Sequence, residues 1–157
     1  METSDTSPAG LAHLYLARYW DGNLPVNPKK IAEDLSLEVI PMYGWEFSGY
    51  YDPSSKHILY NGDEHLVRRR FTIAHELGHF ALKHPAAPRD KLDSFSASIR
   101  SPIESAANRF AAELLMPKES VRIVARARGM SSVDEMAQAF GVSKLAMAFR
   151  LNNLKLD

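Results

Sequence analysis

The sequence predicts an α+β domain in which helices come first, a small sheet follows, and helices return. Three observations carry this. Apolar residues recur at helical spacing before residue 36 and again after residue 64. Between them the pattern shifts to period two, with aromatic and β-branched runs. Capping and turn residues stand at nearly every junction.

Residues 1–8 are polar and terminal, and disorder is expected there. From Pro8 to Trp20, Leu11, Leu14, Tyr15 and Tyr19 mark a first helix. Asn27 before Pro28 reads as an N-cap with proline at the first helical position, and opens a second helix to about Leu35. Leu37, Val39 and Pro41 then alternate with Glu38, Ile40 and Met42. Phe47 to Tyr51 and His57 to Tyr60 are further strands, separated by the turn chemistry of Asp52-Pro53-Ser54-Ser55. The sheet is expected to be small, mainly antiparallel and of about three strands.

A helical pattern resumes from about Glu64 to His84 and stops at Pro85-Ala86-Ala87-Pro88. Residues 85–101 read as a long surface loop. Ser101-Pro102 opens a helix to Met116, and another runs from about Pro117 to Ala127, closed by Gly129. Ser131 or Ser132 caps a helix ended by Gly141, and Ser143 caps the last. Residues 1–157 thus form one domain, with 117–157 a helical, helix-turn-helix-like subregion.

Nineteen basic residues balance nineteen acidic ones, so no overall field draws the chain to nucleic acid or to anionic membrane. The absence of cysteine excludes a disulfide scaffold, a thiolate metal site and a thiol nucleophile. No basic start with an apolar stretch behind it opens the chain, and no uncharged run is long enough for a membrane span. A cytoplasmic location is expected.

Chemistry concentrates in Ala74-His75-Glu76-Leu77-Gly78-His79. Two histidines four apart on a helix lie about 40° apart around its axis, one turn from each other, so both imidazoles reach one ion. Zinc accepts such nitrogens, and three protein ligands with one open position make a hydrolytic site. Glu76 is turned away from the ion but stays close enough to exchange a proton with a water there. The competing reading is an exposed, charged helix face. Phe71, Ile73, Ala74, Leu77 and Phe80 argue against it by making the segment a buried helix, where unpartnered polar groups are costly.

The third ligand has several candidates, among them His65 and His84, but Glu104 is the best placed. It lies in the first turn of the 102–116 helix, on a face with Ala107, Asn108, Ala111 and Leu115 that suits close helix approach. Its competing role is the acid of a capping box with Ser101. Asn108, one turn on, is a candidate to orient a ligand histidine. Glu113 falls on the opposite side.

The stretch Arg70-Phe71-Thr72-Ile73-Ala74-His75-Glu76-Leu77-Gly78-His79, followed by Glu104-Ser105-Ala106-Ala107-Asn108-Arg109-Phe110-Ala111-Ala112-Glu113-Leu114-Leu115-Met116-Pro117, resembles the ImmA/IrrE family of bacterial metallopeptidases. Gly49-Tyr50, Ile58 to Asn61 and Phe140-Gly141-Val142-Ser143 extend the likeness over most of the chain from about residue 25. The resemblance implies a minimal zincin-like fold, with the sheet packed on the active-site helix. It implies metal ligands at His75, His79 and Glu104, a catalytic Glu76, and zinc or manganese as the ion. It also implies a protein substrate: a transcriptional repressor with an Xre-type helix-turn-helix, in a stress-response, transcription-regulation or toxin–antitoxin-like setting. Longer members carry an added sensory domain after the helical region, so for any signal the sensor is expected elsewhere or the signal acts on the substrate.

Other roles stay open in the sequence. The His57–Tyr60 strand is a candidate edge for an extended substrate. Tyr50, Tyr51, His84 and Arg109 are candidates to stabilise an oxyanion. Lys144, Arg150 and Lys155 of the C-terminal element could meet phosphates, although Met136, Phe140, Leu145, Ala148 and Phe149 favour packing, and no direct nucleic-acid contact is expected. The alternative to a peptidase is a non-proteolytic metal-binding module, or a toxin-like component, that acts by binding its regulator partner without cutting it.

Overall fold

The computed structural model describes residues 5–86, 89–90, 101–127 and 132–156. Seven helices and four strands appear among them: α1 (Pro8–Tyr19), α2 (Pro28–Asp34), β1 (Glu38–Met42), β2 (Phe47–Asp52), β3 (His57–Asn61), α3 (Leu66–Ala81), β4 (Arg89–Asp90), α4 (Pro102–Leu115), α5 (Lys118–Ala127), α6 (Val133–Phe140) and α7 (Lys144–Asn153). The α+β order and the zincin-like character follow the sequence reading.

The caps form where the sequence signals them. Asn27 accepts from the Lys30 amide, Ser132 from Glu135 and Ser143 from Ala146. Gly141 takes the left-handed conformation at φ 65° that ends α6. The expectation of disorder over residues 1–8 is corrected from Asp5 onward. The Ser7 side chain caps α1 by accepting from Gly10, and Asp5 in turn accepts from the Ser7 amide. Most of the expected 85–101 loop, and Gly129 and Ser131 with it, lie outside the described residues. Arg89 and Asp90 add a short strand that the sequence reading missed.

The sheet order is β1-β3-β2-β4. β2 pairs antiparallel with β3 and with β4, as the turn at Asp52–Ser55 requires for the first of these. β1 instead runs parallel to β3, with Val39 opposite Ile58. Thus β3 is interior, and the suggestion that His57–Tyr60 is a free edge is wrong. Ile58 is fully buried, and a proline there would break the centre of the sheet rather than a docking edge.

Helix α3 packs against β2 and β3 on one side and α4 on another, and α1 packs against α4. Every residue from Thr72 to Glu76, and on to His79, is buried. This close packing needs small residues. A Cβ at Gly78 would stand 3.1 Å from a Phe110 ring carbon and 3.2 Å from the Ala107 carbonyl oxygen, so glycine is what lets α4 approach. On α1 the buried residues are Ala12 and Leu16, whereas Leu14 faces outward.

Two arginines fasten the C-terminal helices to the rest. Arg70 of α3 donates to the carbonyls of Val26, Phe140 and Gly141. Arg150 of α7 donates both terminal nitrogens to the two Glu113 oxygens, at 3.1 and 2.8 Å, and its Nε to the Met116 carbonyl. Arg150 is therefore buried and committed to Glu113 and Met116 rather than open to a phosphate. The inward residues of the α6–α7 element are Met136, Phe140, Met147 and Leu151, while Leu145, Ala148 and Phe149 turn outward. No helix among the described residues is long and apolar enough to cross a membrane.

Candidate metal centre

His75 and His79 lie in the buried half of α3, on the side that meets α4. Their Nε2 atoms are 3.1 Å apart, and their rings stand nearly perpendicular, at 87°. Glu104, in the first turn of α4, reaches both: Oε1 is 3.3 Å from His75 Nε2 and Oε2 is 2.8 Å from His79 Nε2. These three residues are the group among the described residues whose ligand atoms can hold one ion. Two imidazole nitrogens and a carboxylate suit a borderline metal and leave a coordination position for water or substrate.

The electrostatics agree with that use. Burial opposes ionisation of the Glu104 carboxyl, but hydrogen bonding and charge from His75 and His79 outweigh it and hold its pKa well below the usual carboxylate range. The capping-box alternative is half realised. Ser101 Oγ accepts from the Glu104 amide at 3.2 Å, which starts α4, while the Glu104 carboxylate is directed to the histidines. The N-cap uses only the Glu104 amide, so the carboxylate is left for the histidines.

Asn108 meets His75 as its position on α4 suggested. Its Oδ1 lies 2.7 Å from His75 Nδ1. A carbonyl oxygen only accepts, so Nδ1 donates to Asn108, and Nε2, which faces Glu104 and His79, is the nitrogen that would bind an ion.

Glu76 is fully buried on α3 beside β2. A Cβ at Gly49 would lie 2.9 Å from Glu76 Oε2 and would overlap the Thr72 methyl. Gly49 is therefore the gap that lets the strand pass directly over the Glu76 carboxylate. The sequence offered Gly49 only as part of a resemblance; periodicity gives no sign of a cross-element approach.

The remaining candidates disperse. His65 is exposed at the N-cap of α3 and is not in the ligand group. His84 meets His79 through Nδ1 rather than joining the Nε2 cluster. Burial, then the neighbouring His79, keeps its imidazole pKa below the ordinary value. Arg109 pairs with Glu113 one turn along α4, and Glu113 itself is bound by Arg150, away from the centre. Tyr51 is buried edge-on against Phe80, and burial raises its phenol pKa. Tyr50 lies half-buried on β2.

A helix-borne His-Glu-x-x-His completed by a glutamate from a second helix, under a small mixed sheet, defines the class: a gluzincin-like metallopeptidase domain. Comparison with known proteins agrees. The IrrE N-terminal-like domain matches residues 32–152, and the chain belongs to the ImmA/IrrE family. It is 31% identical over 116 residues to the radiation response metalloprotease IrrE of Deinococcus radiodurans. That match covers 73% of this chain and 31% of the relative, so the chain spans less than a third of that protein. A Mycobacterium tuberculosis transcriptional regulator shares the fold, with a TM-score of 0.52 at 18% identity, over 96% of this chain and 42% of that one.

Proposed function

We propose that this chain is a metal-dependent endopeptidase that cleaves a partner protein, a transcriptional repressor with an Xre-type helix-turn-helix, in a regulatory or toxin–antitoxin-like system. The observation that carries the reading is the convergence of His75, His79 and Glu104 from two helices, with a buried Glu76 next to them. A cytoplasmic setting fits the cysteine-free sequence.

His75, His79 and Glu104 would hold zinc, or manganese, leaving one side open to substrate. When bound, such an ion polarises a carbonyl and makes water a stronger acid. Glu76 accepts a proton from the attacking water and returns it to the leaving amine. Asn108 keeps His75 in the tautomer that offers Nε2.

The test uses the purified chain and the regulator encoded beside its gene. The wild type is expected to hold about one metal ion per chain and to cut the regulator. A chelator should stop cleavage, and added zinc or manganese should restore it. Glu104→Ala should lose most of the bound metal, read by elemental analysis, with cleavage lost in proportion. A wild type that binds no metal, or that still cuts in excess chelator, would overturn the proposal.

Gly49 supplies a second expected result. In Gly49→Ala the added methyl must displace Thr72 or Glu76. Cleavage should fall by about 10²-fold, the scale of a small misplacement at a reacting centre. Bound metal should stay near one per chain, since the ligand atoms gather with α4 and not with β2. The ratio of the two losses, turnover against metal content, is the measurement.

A further inference from the structure

The last turn of α3 ends in an unusual way. Helices that stop on a left-handed residue usually place glycine there, and an apolar contact commonly closes the turn. Here the left-handed residue is Lys83, at φ 59°. Its amide bonds back to the Phe80 carbonyl at 3.2 Å, and the His84 amide bonds back to the His79 carbonyl at 2.9 Å. The two positions that would make the apolar contact are thus His79 and His84. Their rings meet at 5.1 Å, and their Nδ1 atoms are 2.9 Å apart.

Only one hydrogen fits between two Nδ1 atoms at that distance. If His79 carries it, neutral His84 accepts with its own Nδ1, and His79 Nε2, now 2.8 Å from Glu104 Oε2, is the nitrogen that would turn to an ion. The pair then mirrors His75 and Asn108, so each ligand histidine has its outer nitrogen fixed by a polar partner. The partner of His75 comes from α4, whereas that of His79 comes from the stop signal of its own helix.

We propose that His84 is a positioning residue that holds His79 in the orientation and tautomer needed to bind metal through Nε2. The proposal rests on the reading of His75, His79 and Glu104 as metal ligands. It sets His84 apart from the ligands, since the group whose atoms can share one ion among the described residues is His75, His79 and Glu104. The sequence contains the signal in plain view, five residues after His79, but nothing in the spacing says which nitrogen is engaged.

The experiment measures zinc affinity by competition with a chromophoric chelator, for wild type, His84→Phe and His84→Asn. Phenylalanine keeps a ring and removes the acceptor; asparagine can set its oxygen where Nδ1 stands. His84→Phe should bind zinc about ten- to a hundredfold more weakly, the usual cost of losing an outer partner of a ligand histidine. His84→Asn should recover most of that loss. Metal-free melting temperatures should be alike in all three. Equal affinity in His84→Phe and wild type, or equal loss in both variants, would overturn the inference, as would a loss that follows a fall in melting temperature. A wild type that binds no zinc would overturn the ligand reading itself, and the inference with it.

Discussion

Glu76→Gln is expected to bind metal as the wild type does and to cut the regulator about 10²–10⁴-fold more slowly, the range for losing a positioned general base. Glutamine has nearly the same shape, so the tight space against Gly49 and Thr72 still accommodates it. The three ligand atoms belong to other residues and should be undisturbed. What the change removes is an atom that can take a proton. Turnover and bound metal, measured on the same preparation, separate the possibilities. Loss of metal in Glu76→Gln would make Glu76 a ligand, contrary to its place beside β2. Unchanged turnover would mean that proton transfer uses another group.

The second large effect falls on stability. Glu113 and Arg150 are 4% and 5% exposed and join α4 to α7 by two hydrogen bonds. Removing one member leaves a buried charge without its partner, which costs about 3–5 kcal/mol. Glu113→Ala should lose that much in urea denaturation, a large fraction of the roughly 5–15 kcal/mol of an ordinary domain. The paired replacement Glu113→Leu with Arg150→Met removes both charges and should recover most of the loss. Arg109, largely exposed, can turn to water in that variant.

The same pair gives a pH dependence. Burial raises the Glu113 pKa, but Arg150, and after it Arg109, outweigh burial and bring it below its ordinary value of 4.5. A carboxyl that is more acidic when folded adds stability above the unfolded pKa, and that addition disappears as pH falls through the lower folded value. The wild type should therefore lose ground to the charge-free double variant as pH drops below about 4.5. A stability gap independent of pH in that range would contradict the assigned pairing.

Much of the helical framework was legible because its signals are local. Asn27-Pro28, Ser101-Pro102, Gly141 and Ser143 start or stop helices through atoms within four residues of themselves, so the chain needs no tertiary information to place them. The candidate metal ligands were legible for a related reason. The spacing of His75 and His79 is a property of one helix, and Glu104 stood on a face of small residues able to approach it.

Strand partners were not legible in the same way. Alternation tells which residues form a strand, but the identity of the neighbour depends on loop closure and on which faces are buried together. That is why β3 appeared as an edge and is interior, and why the parallel pairing of β1 with β3 was unexpected. Side-chain direction at the C-terminus was misread on similar grounds. Leu145 and Phe149 are as apolar as Met147 and Leu151, and only the approach of the rest of the fold chooses which pair is buried.

The sequence by itself therefore determined the α+β class, the helix limits and three residue types suited to one ion. The tertiary structure alone decided that the Glu104 carboxylate reaches both histidines while Ser101 caps α4 by accepting from the Glu104 amide. It alone decided that Gly49 admits Glu76, that Arg150 is spent on Glu113, and that His84 folds back on His79. The division has one physical cause. Backbone hydrogen bonding within a helix is settled over a few residues, whereas the approach of side chains across elements depends on packing among segments far apart in the chain.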